Sequence, residues 1–264
     1  MKHNKYIDNL CLTLVYTFLF LPILILIIFS FNTSELNIIF EGFTLDWYKD
    51  LFQNKLLMEA LWNTLLVAGI STIISTIIGT ISAYALKRFS FPFKSLINEL
   101  LYIPVVIPEI VLGISLLCVY TLMKLELGMF SLILAHIAFS IPYVIISVRS
   151  VLDNMDPNLE KAASDLGASK LKTFFYVTIP SLLPGILSGA QLAFTLSLDD
   201  VVVSYFTAGP NSNTLPLHIY SMIKTGVTPN VNALITILLL IIFIILTIST
   251  LISLRRIKNE VKRS

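Results

Sequence analysis

Three acids stand inside otherwise apolar runs: Glu109 in one, and Asp199 with Asp200 side by side toward the end of another. An ionised carboxylate in the hydrocarbon of a bilayer is costly, so such a residue faces a water-filled path, a partner charge or a substrate. Negative groups spaced along a route would replace the lost water around a cation without trapping it. Glu109 is expected at mid-depth, and the Asp pair nearer the entrance. Plainer roles compete. Glu109 follows Pro108 and could bond backbone freed by the proline, and one member of the Asp pair could be solvated at the membrane surface. His136, also in an apolar run, reads more simply as a hydrogen bond between helices than as a ligand for substrate. Trp47 and Tyr48 read as interfacial anchors, whereas Trp62 and Tyr220 could stack on an alkylammonium through their ring faces.

Other chemistries lack their residues. Cys11 and Cys118 each lie in an apolar run with no CxxC or Cys/His cluster, which indicates neither a disulfide framework nor a metal site. A Walker A loop needs a glycine followed by Lys and Ser or Thr to hold phosphates. None of the ten glycines precedes a Lys, so the chain has no nucleotide site of that kind.

The elements that must carry these acids are membrane spans. Hydrophobic residues make up 56% of the 264 and charged residues 13%, with a mean hydropathy of +0.87, against about 25% charged in soluble domains. Apolar runs at 10–31, 60–86, 100–123, 127–148, 182–206 and 231–254 are each long enough, at about 1.5 Å per residue, to cross roughly 30 Å of hydrocarbon. Six transmembrane helices are expected, the third and fourth joined in a tight hairpin across Lys124, Leu125 and Glu126. The first run exceeds the roughly 7 to 15 residues of a signal-peptide core and lacks a small-residue cleavage site, so it reads as an uncleaved span. Fourteen of the eighteen Lys and Arg fall on one side, including Lys2, Lys5, Lys87, Arg88, Arg149, Lys172, Arg255 and Arg263; Lys49, Lys55, Lys124 and Lys224 fall on the other. Basic loops resist translocation, which puts both termini in the cytoplasm. The net charge of +2 is scattered over segment ends and gives no case for nucleic acid.

Two spans carry small residues every four positions: Ser71, Ser75, Gly79 and Ala83, then Gly185, Gly189 and Ala193. Such faces let another backbone approach closely. Pro22, Pro104, Pro108, Pro142 and Pro184 predict bent spans around a cavity, with Pro104 and Pro108 bracketing the approach to Glu109.

The longest polar interruption runs over 152–180, on the cytoplasmic side by the charge count. Asp156 and Pro157 read as a helix start. Leu159, Ala162, Ala163 and Leu166 share one face, opposite Glu160, Lys161, Ser164 and Asp165. Gly167 ends this helix, and Ser169 caps a second, with Leu171, Phe174 and Phe175 on its apolar face, before Pro180. Two short helices at an angle, with exposed apolar residues and balanced charge, suit a cleft on another protein; the competing reading is an interfacial helix on lipid.

The stretch Ala162 to Ser169, AASDLGAS, followed by VTIP at Val177 to Pro180, resembles the EAA loop of ABC importer permeases, with matching spacing from Gly167 to Pro180. Lys161 stands at the Glu position of that motif and Glu160 one place earlier. The stretches VIPEIVLGISLL at 106–117, FTLSLDDVVVSYF at 194–206 and LPLHIYSMIKTGVTPNVNAL at 215–234 resemble the polyamine-importer branch of that family. The resemblance covers nearly the whole chain. It implies an all-α membrane protein of the ABC importer permease (MetI-like) type, one permease domain over 1–264 with the coupling loop inside it, and no enzymatic activity of its own. It implies a second permease subunit, two ATPase subunits that bind ATP and Mg, and an extracytoplasmic polyamine-binding protein touching about 211–230. The ATPase would meet Glu160, Lys161, Ala162, Ala163, Asp165, Leu166, Gly167, Ala168 and Ser169. Polyamines are multiply protonated at neutral pH, which suits Glu109, Asp199 and Asp200. A permease for another small solute, and a self-contained cation channel or secondary carrier, are the competing functions.

Overall fold

The computed structural model describes residues 5–34, 39–156, 158–222 and 228–261. Pro157, part of 211–230, and the basic residues Lys2, Lys224, Lys262 and Arg263 lie outside the described residues. In chain order the helices are α1 (Lys5–Phe29), α2 (Asp46–Leu51), α3 (Lys55–Arg88), α4 (Lys94–Leu100), α5 (Ile103–Val106), α6 (Glu109–Leu122), α7 (Met129–Asn154), α8 (Asn158–Asp165), α9 (Lys170–Thr173), a π-turn (Phe174–Thr178), α10 (Ile179–Asp199), α11 (Val202–Thr207), α12 (Leu215–Ser221) and α13 (Pro229–Val261). Asp8–Phe29, Lys55–Arg88, Met129–Asn154 and the continuous stretch Lys170–Asp199 are long and apolar enough to cross a bilayer. They match the first, second, fourth and fifth expected spans. Of α13, Pro229–Ile244 forms a shorter apolar helix.

The chain divides into two compact units, Met1–Met58 with Ser221–Ser264, and Glu59–Tyr220. In the first, α13 packs on α1 and α2. The segment after α1 is held by Asn32, whose Nδ2 donates to the Ile39 carbonyl at 2.7 Å while its Oδ1 accepts from the Glu41 amide at 2.8 Å. Trp47 and Tyr48 turn their polar ends into this segment. Trp47 Nε1 donates to the Asn32 carbonyl at 2.6 Å, and Tyr48 Oη meets Ser30 Oγ at 2.7 Å. Both residues are thereby fastened into local structure.

In the second unit both small-residue faces close on α7. A Cβ at Gly79 of α3 would lie 2.7 Å from the Val144 side chain, and one at Gly185 of α10 would lie 3.0 Å from the Ser147 carbonyl. Gly189 repeats the contact one turn on, 3.1 Å from Val144 Cα. The absence of side chains at these positions is what lets three backbones come together. Ala83, Val144, Val148 and Leu182 seal the contact and are fully buried.

The third expected span is not one helix. Ile107 is extended (ψ 147°) and so is Pro108 (ψ 137°), which separates α5 from α6, and the segments Lys94–Val106 and Glu109–Leu122 meet at 114°. The residue before a proline is driven out of the helical region by clash with the ring, so Pro108 ends one helix and starts another where the sequence suggested a bend. The hairpin between α6 and α7 is tight as expected. Lys124 takes φ 54°, and the Leu125 amide reaches back to the Tyr120 carbonyl at 2.8 Å, which closes the end of α6.

Candidate functional site

Two breaks between helices and one face of α7 build one cavity in the second unit. The Pro108 break makes Glu109 the first residue of α6. The end of α10 supplies Leu196 and Asp199, and the extended Asp200 (ψ 126°) turns the chain into α11. From α7 come Phe139 and Tyr143, one turn apart. These residues, with Pro104, Leu112 and 201–203, enclose a cavity of about 310 Å³, at the lower end of the roughly 300–1,000 Å³ of small-molecule sites. Glu109, Asp199 and Asp200 therefore gather on one cavity.

The three acids are not equivalent. Asp200 points into protein, with its side chain 6% exposed. Its Oδ2 accepts from the Ser204 amide and from Ser204 Oγ, both at 2.7 Å, and its Oδ1 from the Val203 amide at 3.1 Å. These bonds satisfy the first amides of α11. Behind it a chain of bonds crosses the unit. His136 is fully buried on α7, with Nε2 3.1 Å from Ser204 Oγ and 3.5 Å from Asp200 Oδ2, and Nδ1 2.6 Å from Ser197 Oγ on α10. Ser197 Oγ meets Ser71 Oγ of α3 at 3.2 Å. His136 thus makes the expected bonds between helices and sits behind the cavity wall. Glu109 and Asp199, by contrast, are exposed at the cavity, and no ion pair among the described residues involves either. Two exposed carboxylates, with no ion pair among the described residues, and the aromatic side chains of Phe139 and Tyr143 thus line the same cavity.

The polar loop folds largely as its pattern indicated. The end of α8 is closed by Gly167 at φ 84°, with the Ala168 amide bonding the Ala163 carbonyl at 3.0 Å and the Gly167 amide bonding Ser164 at 2.9 Å. Glycine takes that left-handed conformation without the Cβ penalty. Ser169 Oγ accepts from the Lys172 amide at 3.4 Å, capping α9. The second helix does not stop at Pro180. The π-turn carries α9 into α10, because its wider bonding pattern passes the position where the proline has no amide to give. Leu166 is 90% exposed and Leu171 72%, and with Leu159 and Phe175 they leave apolar surface uncovered. Lys161, Ala162, Asp165, Gly167 and Ser169 are also exposed, Ala163 and Ala168 half-buried. Glu160 faces the other way: its Oε2 lies 2.8 Å from Arg88 Nη2 and its Oε1 accepts from Thr178 Oγ1 at 2.8 Å.

The sequence reading did not single out Phe139 and Tyr143, although their spacing of four, one turn beyond His136, puts them on one helical face. Trp62 and Tyr220, considered for stacking, do not line the cavity.

An all-helical, membrane-crossing chain with broken helices around a charged cavity and a folded, apolar-tipped polar loop is a transport permease by class. The family described as "Binding-protein-dependent transport system inner membrane component" matches residues 75–263, and the chain belongs to it. It is 42% identical over 242 residues to the "Spermidine/putrescine transport system permease protein PotC" of Escherichia coli (strain K12), covering 92% of each chain. It is 39% identical over 235 residues to the "Putrescine transport system permease protein PotI" of the same organism, covering 86% of this chain and 84% of that one. Among solved structures it is similar to a bacterial ABC transporter involved in the import of the acidic polysaccharide alginate, with a TM-score of 0.72 at 16% identity over 93% of this chain and 94% of that one. That likeness concerns the fold.

Proposed function

We propose that this chain is the transmembrane permease subunit of an ATP-driven importer of polyamines, spermidine or putrescine, and forms half of the translocation path. The pair of unpaired carboxylates at the cavity, Glu109 and Asp199, carries the reading. A fold shared with a transporter of an acidic polysaccharide does not choose the cargo, so the sign of the cavity must. A polyamine ammonium entering it would exchange water for Glu109 and Asp199, with Phe139 and Tyr143 against its methylenes and charge. Asp200, occupied by the start of α11, would act on the cargo through the shape of the wall. Relatives named for spermidine and putrescine transport agree in cargo class.

In this reading the chain crosses a bacterial inner membrane six times with both termini in the cytoplasm. A second permease subunit completes the path, and an extracytoplasmic binding protein delivers the amine. Two ATPase subunits bind ATP and Mg and receive the loop at 152–180. ATP-driven closure of those subunits moves the loop and alternates access to the cavity, which requires each state to make its own contacts at both ends.

The test is uptake. The chain, purified with its co-purifying subunits and binding protein and reconstituted in vesicles, should accumulate radiolabelled spermidine or putrescine only with ATP on the cytoplasmic side. Amine uptake by the chain alone without ATP would favour a self-contained carrier, and an active complex indifferent to both amines would mean another solute.

A further inference from the structure

Within the loop, Glu160 departs from the rest of its helix. Its neighbours on α8 turn outward, yet its carboxylate is directed back into the chain and is only 17% exposed. One oxygen meets Arg88, the last residue of α3; the other meets Thr178, the fully buried last residue of the π-turn, from which α10 continues. Three separate segments thus converge on one side chain. The aromatic packing beside it has the same connectivity: Tyr84 of α3 lies edge-on to Phe174 of the π-turn, with centroids 4.9 Å apart.

What lies beyond Thr178 gives this junction its consequence. Lys170–Asp199 is continuous helix, so its twenty-one residues from Ile179 to Asp199 form a lever whose far end carries a cavity carboxylate. A force on α8 can reach that lever through the backbone at Gly167, a residue whose conformation is the least restricted of any, through the packing of α8 on α9 and the π-turn, or through the directional bonds of Glu160. The glycine alone is a hinge; the bonds of Glu160 bridge it.

We propose that Glu160 is a positioning residue, a strut that fixes α8 to the end of α3 through Arg88 and to the base of α10 through Thr178, so that loop and lever move as one body. The inference rests on the reading that the loop receives motion from an ATPase. It assigns Glu160 an internal role, distinct from the outward-facing residues that would touch the partner.

Spin labels at Asn158→Cys on α8 and Thr195→Cys on α10, with Cys11 and Cys118 replaced by Ser, measure this in the assembled complex in nanodiscs. From Thr178, which Glu160 contacts, to Thr195 the helix rises about 25 Å. With Glu160 intact, one narrow distance should persist with and without ATP. Glu160→Gln should broaden the distribution already without nucleotide and more so with ATP, lower uptake per ATP hydrolysed about tenfold, and leave the ATPase subunits bound. The exchange of Arg88→Glu with Glu160→Arg should narrow the distribution again. Equal distributions in the parent and Glu160→Gln would overturn the strut, and so would a parent distance that shifts with ATP. Loss of the ATPase subunits in Glu160→Gln would make Glu160 a docking contact, which also overturns it. The distances do not depend on cargo, so a complex that carries no amine would remove the cargo reading while the strut is still judged.

Discussion

Asp199 and Asp200 are adjacent, identical in type and both on the cavity wall, yet they should fail differently when neutralised. Asp200 accepts three bonds at 2.7, 2.7 and 3.1 Å. In Asp200→Asn the new side chain would keep one acceptor oxygen and turn its amide toward a donor, losing at least one charge-assisted bond worth about 1.5–3 kcal/mol and weakening a cap worth about 0.5–2 kcal/mol. A loss of about 2 kcal/mol lowers the midpoint of thermal unfolding by roughly 4–8 °C in a chain of this size. Asp199 holds no such bonds, so Asp199→Asn should leave that midpoint within about a degree or two. What it removes is attraction for an ammonium. At about 4 Å this is about 1 kcal/mol in water and about 4 kcal/mol near a protein surface; taking about 1–2 kcal/mol for an open cavity gives a roughly five- to thirty-fold rise in the amine concentration for half-maximal uptake. Thermal unfolding of the complex, followed by size-exclusion fluorescence, and radiolabelled uptake separate the two. Wild-type uptake by Asp199→Asn would refute the cation surface, and wild-type stability of Asp200→Asn would refute the cap.

The other predictions concern the remaining wall and the contacts that shape it. Glu109→Gln should reduce amine uptake several-fold with the complex assembled normally, read by uptake against recovered protein. Gly185→Leu places a Cβ 2.8 Å from Val151 and 3.0 Å from the Ser147 carbonyl, and should cost about 1–3 kcal/mol by forcing α10 off α7, visible as a lower unfolding midpoint. Gly167→Val has open space around its Cβ but a β-branched residue at φ 84°, so it should disturb the end of α8 without a clash and reduce recovery of the ATPase subunits with this chain. Undiminished co-purification would count against the docking role of the loop.

The sequence made the parts of this protein legible wherever the cause was local. Gly167 and Ser169 announce a helix end and a helix start because backbone conformation and capping are decided within a few residues. The small-residue faces announced close contacts for the same reason, though not their common target: that both would close on α7 depends on which helices are neighbours. The acids were legible as a charge problem, since burying a carboxylate is costly in any fold. Their division of labour was not, because it turns on three-dimensional partners: Ser204 is four residues from Asp200, but His136 comes from another helix and Ser71 from a third. Pro108 shows the middle case. A proline specifies that the preceding residue leaves the helical region, yet whether the chain bends or breaks there is settled by what fills the gap, and here it is a cavity lined by α7 and the end of α10. Glu109 owes its place at the cavity to that break. Pro108→Ala, by letting helix run through 107 and 108, should carry Glu109 away from Asp199 and reduce uptake at least as much as Glu109→Gln does; if it transports normally, the break is not what brings the two carboxylates together.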